Sequence, residues 1–178
     1  MSDTKEWWED SYPARYYAYS NTASLLGGYP SVGWIDVSIY SSTSTWIPAA
    51  ADMIALTEDQ WNARSLGPQI VKDGAVVTYT PSTAVTLDGA STATAGTALT
   101  LTVGLNGTGP ASAVTVNLSD GSACGKFSSN TLTFDEAGET TQTVTYTPAA
   151  AGMVAVSATN TGSLTNPDTL SITVSATS

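Results

Sequence analysis

From residue 83 to residue 178, threonine alternates with aliphatic residues in strand-length runs, and no other feature constrains the fold so tightly. Leu99, Leu101, Val103 and Leu105 share one parity, and Thr100, Thr102 and Gly104 the other. Val114, Val116 and Leu118 repeat the pattern, as do Leu132 with Phe134, Val144 with Tyr146, and Val154 with Val156. Leu170, Ile172 and Val174 close the series. Successive strand side chains point to opposite faces, so each run has one oily and one hydroxylated face. Sheets of such strands become stable by burying the oily faces against each other. The pattern predicts an all-β sandwich over residues 82–178.

Strands are expected near 98–105, 113–118, 124–127, 131–134, 140–146, 153–159 and 169–175, after a first one at 85–87. Asp88-Gly89 and Ala95-Gly96 are turn signals. Pro110, Pro148 and Pro167 fall between the runs, where a missing amide breaks no ladder. Seven or eight short strands in about 100 residues is the scale of an immunoglobulin-like sandwich.

The first 81 residues read differently. Residues 1–13 form an aromatic arm that carries Trp7-Trp8 among Lys5, Glu6, Glu9 and Asp10 and ends at Pro13. Two readings stand for it: a short helix laid on its own domain, or a docking arm whose indoles anchor in another subunit. Tryptophan is enriched at interface hot spots, which supports the second. Residues 14–81 read as a small α+β module. Tyr16, Tyr17 and Tyr19 lie in a strand-prone run, Gly27-Gly28 and Tyr29-Pro30 mark a loop, and Gly33 to Tyr40 reads as a second strand. A helix of about ten residues is expected between Leu56 and Pro68. Thr57 and Gln60 make a capping box, Leu56 and Trp61 a hydrophobic staple, Trp61 and Leu66 the packed face, and Gly67 the C-terminal cap. Asp73-Gly74 between Ile70-Val71 and Ala75 to Tyr79 predicts a hairpin with a type I′ turn.

Composition excludes several roles. Fifteen acidic residues against five basic ones give a net charge of −10. Phosphate backbones attract clustered cations, so nucleic acid is not an expected partner, and neither is an anionic membrane. No apolar run approaches the ~20 residues of a membrane-spanning helix. The start is acidic and aromatic, unlike a signal peptide, so synthesis in a bacterial cytoplasm without a cleaved leader is expected. There is no histidine, hence no Ser-His-Asp relay around Ser119-Asp120-Gly121. Gly104 to Gly109 lacks the lysine and the strand–loop–helix context of a phosphate loop. The lone Cys124 cannot form an internal disulfide and is expected as a small buried hydrophobe. Asp135, Glu136 and Glu139 around Gly138 are expected as a solvated hairpin end rather than an acid–base pair or a calcium site. No enzyme activity, catalytic residue, metal or cofactor is expected.

Aromatic residues concentrate between positions 7 and 79. Trp34, Trp46 and Trp61 are expected in the core of the small module. Trp7, Trp8, Tyr16, Tyr17, Tyr19, Tyr29 and Tyr40 are the candidate partner-binding residues. For the tyrosines, surface contact and packing stand as equal readings.

Residues 15–81 resemble a module of bacteriophage tail-region proteins. The resemblance rests on Tyr-Tyr-Ala-Tyr at 16–19, Gly-Trp-Ile-Asp at 33–36 and Pro-Ala-Ala-Ala-Asp at 48–52. Leu-Thr-Glu-Asp-Gln-Trp at 56–61 and the stretch from Val71 to Pro81 are similar to the end of tail-fibre-assembly-like proteins. Residues 83–178 resemble the immunoglobulin-like domains of phage surface proteins and bacterial adhesins. There the matching residues are Leu-Ser-Asp-Gly at 118–121, Gly-Lys-Phe-Ser at 125–128, Tyr146 to Gly152, and Ala158 to Pro167. The resemblance implies a virion protein present in several copies. It would dock to other virion proteins of the tail, fibre or capsid and display its sandwich for spacing or contact with host-surface glycans. A capsid decoration protein, a transient fibre-assembly chaperone and a carbohydrate-degrading enzyme are the competing expectations.

Overall fold

A computed structural model describes residues 5–26, 29–65, 67–136 and 138–177; of residues 21–26 and 29–31 only the backbone is described. The expected Gly27-Gly28 loop and the packing of Leu66 lie outside the described residues. The chain divides into two compact units, Met1–Tyr79 and Thr80–Ser178. Among the described residues no helix is long and apolar enough to cross a membrane.

In the first unit, β1 (Tyr16–Leu26) is the centre of a three-stranded sheet between β2 (Tyr29–Asp36) and β3 (Ile54–Leu56). Strand β2 begins at Tyr29, where Tyr29 and Pro30 pair with Leu26 and Leu25 instead of forming the expected loop, and it stops at Asp36 and does not run on to Tyr40 as its alternation predicts. The Asp36 carboxylate accepts the Ser38 amide at 3.0 Å and the Ser38 hydroxyl at 2.6 Å, which turns the chain into a 3-10 turn at Val37–Ile39. A local side-chain acceptor competes with the ladder and wins.

The expected ten-residue helix is shorter: α1 spans Glu58–Asn62. Its start is as predicted, with the Gln60 amide donating to Thr57 Oγ1 and the Thr57 amide to Gln60 Oε1. Its end is set by Arg64, whose backbone amide and Nη1 both donate to the Trp61 carbonyl, at 3.3 and 2.6 Å. The helix is capped at Ala63, whose amide bonds Asp59 O and Trp61 O, so Gly67 does not cap it. A hairpin follows, β4 (Gln69–Lys72) with β5 (Ala75–Thr78). Asp73 and Gly74 both have positive φ, +50° and +73°, as a type I′ turn requires.

In the three-stranded sheet, residues opposite each other share a face. Tyr17 and Ile35 lie on one face, where a cluster with Val37 and Met53 is buried. Trp8, Tyr12 and Tyr19 pack against that cluster. Tyr16, Asp36 and Leu56 occupy the other face, as do Ala18, Trp34 and Ile54.

The second unit is the predicted mainly-β sandwich. One sheet holds β6 (Val85–Gly89), β8 (Leu99–Leu105), β10 (Lys126–Phe127) and β12 (Thr141–Thr147), in the order β10-β12-β8-β6. The other holds β7 (Thr92–Thr94), β9 (Val114–Ser119), β11 (Thr131–Phe134), β13 (Gly152–Asn160) and β14 (Leu170–Ser175), in the order β11-β9-β13-β14-β7. All pairs are antiparallel except β7 with β14. Leu101, Val103, Val116, Phe134, Tyr146, Val156 and Ile172 are at most 1% exposed between the sheets, and the alternating threonines face out. β11 and β12 belong to different sheets, so Asp135, Glu136 and Glu139 mark a crossover and not a hairpin end.

Two polar side chains organise the sandwich loops. The Asn160 carboxamide donates to Leu164 O and Asn166 Oδ1 and accepts the amides of Gly162 and Leu164. Asp120 Oδ2 accepts the Tyr146 hydroxyl at 2.9 Å and the Gly125 amide at 2.8 Å. Cys124 is exposed, not buried as expected, because the 120–125 turn puts it at φ +56° with its side chain outward. The interior of that turn is taken by the Asp120–Tyr146 pair instead.

Candidate interaction surface

All five tryptophans and four of the five basic side chains lie in the first unit. There, Arg15 Nε reaches both Asp36 oxygens, at 3.0 and 3.1 Å, and Arg15 Nη2 reaches Oδ2 at 2.8 Å. Burial pushes the Asp36 carboxyl up, but the hydrogen bonds from Arg15 and Ser38 outweigh it and hold the group below the ordinary carboxylate range. A group depressed on folding contributes stability that is complete above its unfolded value and lost as pH falls through its folded one. The first unit should therefore lose stability as pH drops below about 4. Asp36→Asn should be less stable at neutral pH and show a flatter acid transition, read by tryptophan fluorescence during acid titration.

Arg15 also lies over the Tyr16 ring, 4.9 Å from its centroid. Tyr16 stacks on Trp61 at 4.8 Å and 18°, and Arg64 covers Trp61 at 4.0 Å. The result is a ladder of cation, two rings and cation, built by β1 and the end of α1. Two of the five basic residues of an acidic chain are placed on one aromatic stack.

Beside the ladder lies a groove of about 400 Å³. Its floor is the sheet face that carries Trp34, Ile54 and Leu56. One wall comes from Gln60, Ala63 and Arg64 at the end of α1, the other from Gln69, Ala75 and Val76 of the hairpin. Gln69 Oε1 is buried and has no hydrogen-bond partner among the described residues.

The candidate partner-binding residues separate into three places. Trp7 and Trp8 lie in a helical turn in which Trp8 O accepts the amides of Ser11 and Tyr12. Both are half-buried, and Trp8 packs on the cluster of its own unit. Trp7 meets Tyr12 edge-on at 6.2 Å, and Tyr12 meets Tyr17 at 6.0 Å. Tyr17 is 1% exposed and accepts the Ala14 amide at 2.9 Å, so it leaves the contact set: its ring is core. Tyr19 lies over Gly33, where a Cβ would fall 2.2 Å from the ring. Tyr16 belongs to the ladder. Tyr40 meets Trp46 edge-on at 5.0 Å, and here Trp46 departs from its expected core role. Trp46 is 55% exposed and the neighbouring Ile39 70%. The Tyr29 side chain lies outside the described residues.

No stretch of the sequence pointed to the groove, the ladder or the exposure of Ile39 and Trp46. The ladder leaves one signal: Arg15-Tyr16 and Trp61 to Arg64 each put an arginine within three residues of an aromatic. Among the described residues, no group of three or more His, Cys, Asp or Glu side chains is placed to hold a metal.

No family model matches the chain, and no curated protein matches it. Among solved structures, it is similar to the D00-D0 domain of intimin, at 21% identity and a TM-score of 0.39, over 52% of this chain and 49% of that one. The chain thus spans about half the length of the intimin fragment it matches. It is also similar to the CARDB domain of a Pyrococcus furiosus protein, solved in complex with di-metal ions, at 13% identity and a TM-score of 0.40. That match covers 53% of this chain and 93% of the other. A third, WR4 of C. elegans, a member of the MSP family, matches at 7% identity and a TM-score of 0.34, over 52% of this chain and 97% of that one.

Proposed function

We propose that this chain is a non-enzymatic structural component of a tailed-bacteriophage virion. Its first unit docks to other virion proteins in the tail or fibre region. Its immunoglobulin-like sandwich is displayed outward, for spacing or adhesion to host-surface glycans. The chemical asymmetry of the two units carries this reading. All five tryptophans and four of the five basic residues lie in the first unit. So do Ile39 and Trp46, two of the three large hydrophobic residues that the described chain exposes. Apolar aromatic surface of this kind is what interfaces use as anchors. The second unit turns mostly threonine, serine and acidic side chains outward, a surface suited to solvent. The resemblance of residues 15–81 to tail-region modules supplies the setting.

Mass spectrometry of purified particles tests the setting through copy number. A small multiple of three or six is expected. Hundreds of copies would make the chain a head decoration protein, and absence from particles would overturn the proposal. The docking half has its own test. The double variant Ile39→Ser and Trp46→Ser should lower incorporation at least severalfold with only a small drop in the thermal midpoint of the first unit, because both side chains are largely exposed in the free chain and the main intramolecular loss is the edge contact of Trp46 with Tyr40.

A further inference from the structure

We propose that the groove between α1 and the β4–β5 hairpin captures the C-terminal residue of a partner chain. The inference rests on the docking reading above and names the partner chemistry of that unit. Three features of the groove converge on one ligand class. The floor of Trp34, Ile54 and Leu56 is largely aliphatic, which suits an apolar side chain better than a hydroxyl-covered sugar. The volume of about 400 Å³ is at the small end for a binding pocket, enough for a terminal side chain and its backbone. Gln69 Oε1 is a buried acceptor without a donor, a state that costs free energy until a donor arrives. A backbone N–H entering the groove supplies that donor once the Gln69 carboxamide, whose oxygen is closed to solvent in the free chain, turns toward it.

Arg64 adds the charge. Its guanidinium has five N–H donors, and one of them is used on the Trp61 carbonyl. Stacking over Trp61 holds the plane in place, so the remaining donors are arranged for a carboxylate before it binds. In a chain of net charge −10, a cation lining a groove with an apolar floor selects an anionic partner group. One chemical unit places an apolar side chain, an amide N–H and a carboxylate within a single residue: the C-terminal residue of a polypeptide.

The test uses the full chain and small probes. N-acetyl-leucine carries all three groups, and N-acetyl-leucinamide lacks the charge. Glucuronate represents the rival class, an acidic sugar. The indole N–H resonances of Trp34 and Trp61 report binding by NMR titration. N-acetyl-leucine should give saturable shifts at millimolar concentrations, and N-acetyl-leucinamide should bind about tenfold more weakly, the scale of one charge-assisted contact. Arg64→Gln should abolish the difference between acid and amide. Gln69→Leu should weaken both; if that variant does not fold, the Arg64→Gln comparison decides alone. Absence of saturable shifts, equal binding of acid and amide, or preference for glucuronate would each overturn the proposal. Loss of incorporation in the Ile39→Ser/Trp46→Ser variant but not in Arg64→Gln would remove the groove from docking while leaving docking itself intact. Binding of N-acetyl-leucine by a chain absent from particles would do the reverse.

Discussion

Truncating Tyr146 to alanine should destabilise the sandwich by about 3–5 kcal/mol, the cost of emptying a large aromatic site in a packed core. The ring is fully buried on β12 and lies 4.7 Å from the Phe127 ring. Its hydroxyl is the donor that Asp120 needs, so truncation also leaves a carboxylate facing a cavity. Tyr146→Phe separates the two effects. It keeps the packing and removes a hydrogen bond to a charged group, a loss of about 1.5–3 kcal/mol. Gly125→Ala should act in the same direction, because a Cβ there would fall 2.1 Å from the Tyr146 hydroxyl.

The same pair sets a pH signature. Burial first, and Asp120 second, push the Tyr146 hydroxyl above the ordinary tyrosine range. The folded state then keeps a proton that the unfolded chain releases near pH 10. Stability from this group is complete below that pH and falls as pH rises toward the raised folded value. The slope should approach about 1.4 kcal/mol per pH unit, one proton's worth. Urea melts followed by circular dichroism at pH 9 and pH 11 should show this loss in the native chain. In Tyr146→Phe the part due to this group should vanish; an unchanged slope would show that the pair does not control it.

Tyr17→Ala should unfold the first unit while the second stays folded. The ring is central to a cluster that has, among the described residues, three other buried members, Ile35, Val37 and Met53. A module of this size rarely has more than about 3–5 kcal/mol to lose, and removing a buried aromatic costs about that much. The chain provides its own readout. Every tryptophan is in the first unit and none in the second, so indole fluorescence reports the first alone. The variant should show red-shifted fluorescence at 25 °C with the strand signal of the sandwich retained in circular dichroism. A native emission maximum would refute the central role of Tyr17.

The sandwich was legible from its alternation because strand periodicity and burial coincide there. In β9 and β11, buried and outward residues alternate without a break, so parity alone names the core. The Asp73-Gly74 turn and the Thr57 capping box were legible for a similar reason: a few adjacent residues determine each one. What the residues concealed depended on contacts distant in sequence or on one side chain overriding a pattern. Asp36 ends β2 by bonding Ser38 and Arg15, although the alternation runs on to Tyr40. Arg64 closes α1 early, although Gly67-Pro68 is the stronger local stop signal. Cys124 points outward from a positive-φ position in a turn that Asp120 ties to Tyr146, a partner 26 positions away. The groove is made by three segments that meet only after folding, so no stretch of sequence announces it.

The parallel pairing of β7 with β14 has a mechanical consequence. Thr92 to Thr94 lie beside Thr173 to Ser175, so the strand near the start of the sandwich is laced to the strand at its end. Tension applied through the two ends of this domain would slide these strands past each other along their length. Their bonds, together with those from Ala95 to Ser175 and from Thr173 to Ser91, would share the load rather than peel one at a time. A domain wired in this way resists pulling along its length more than one whose end strands can be peeled apart.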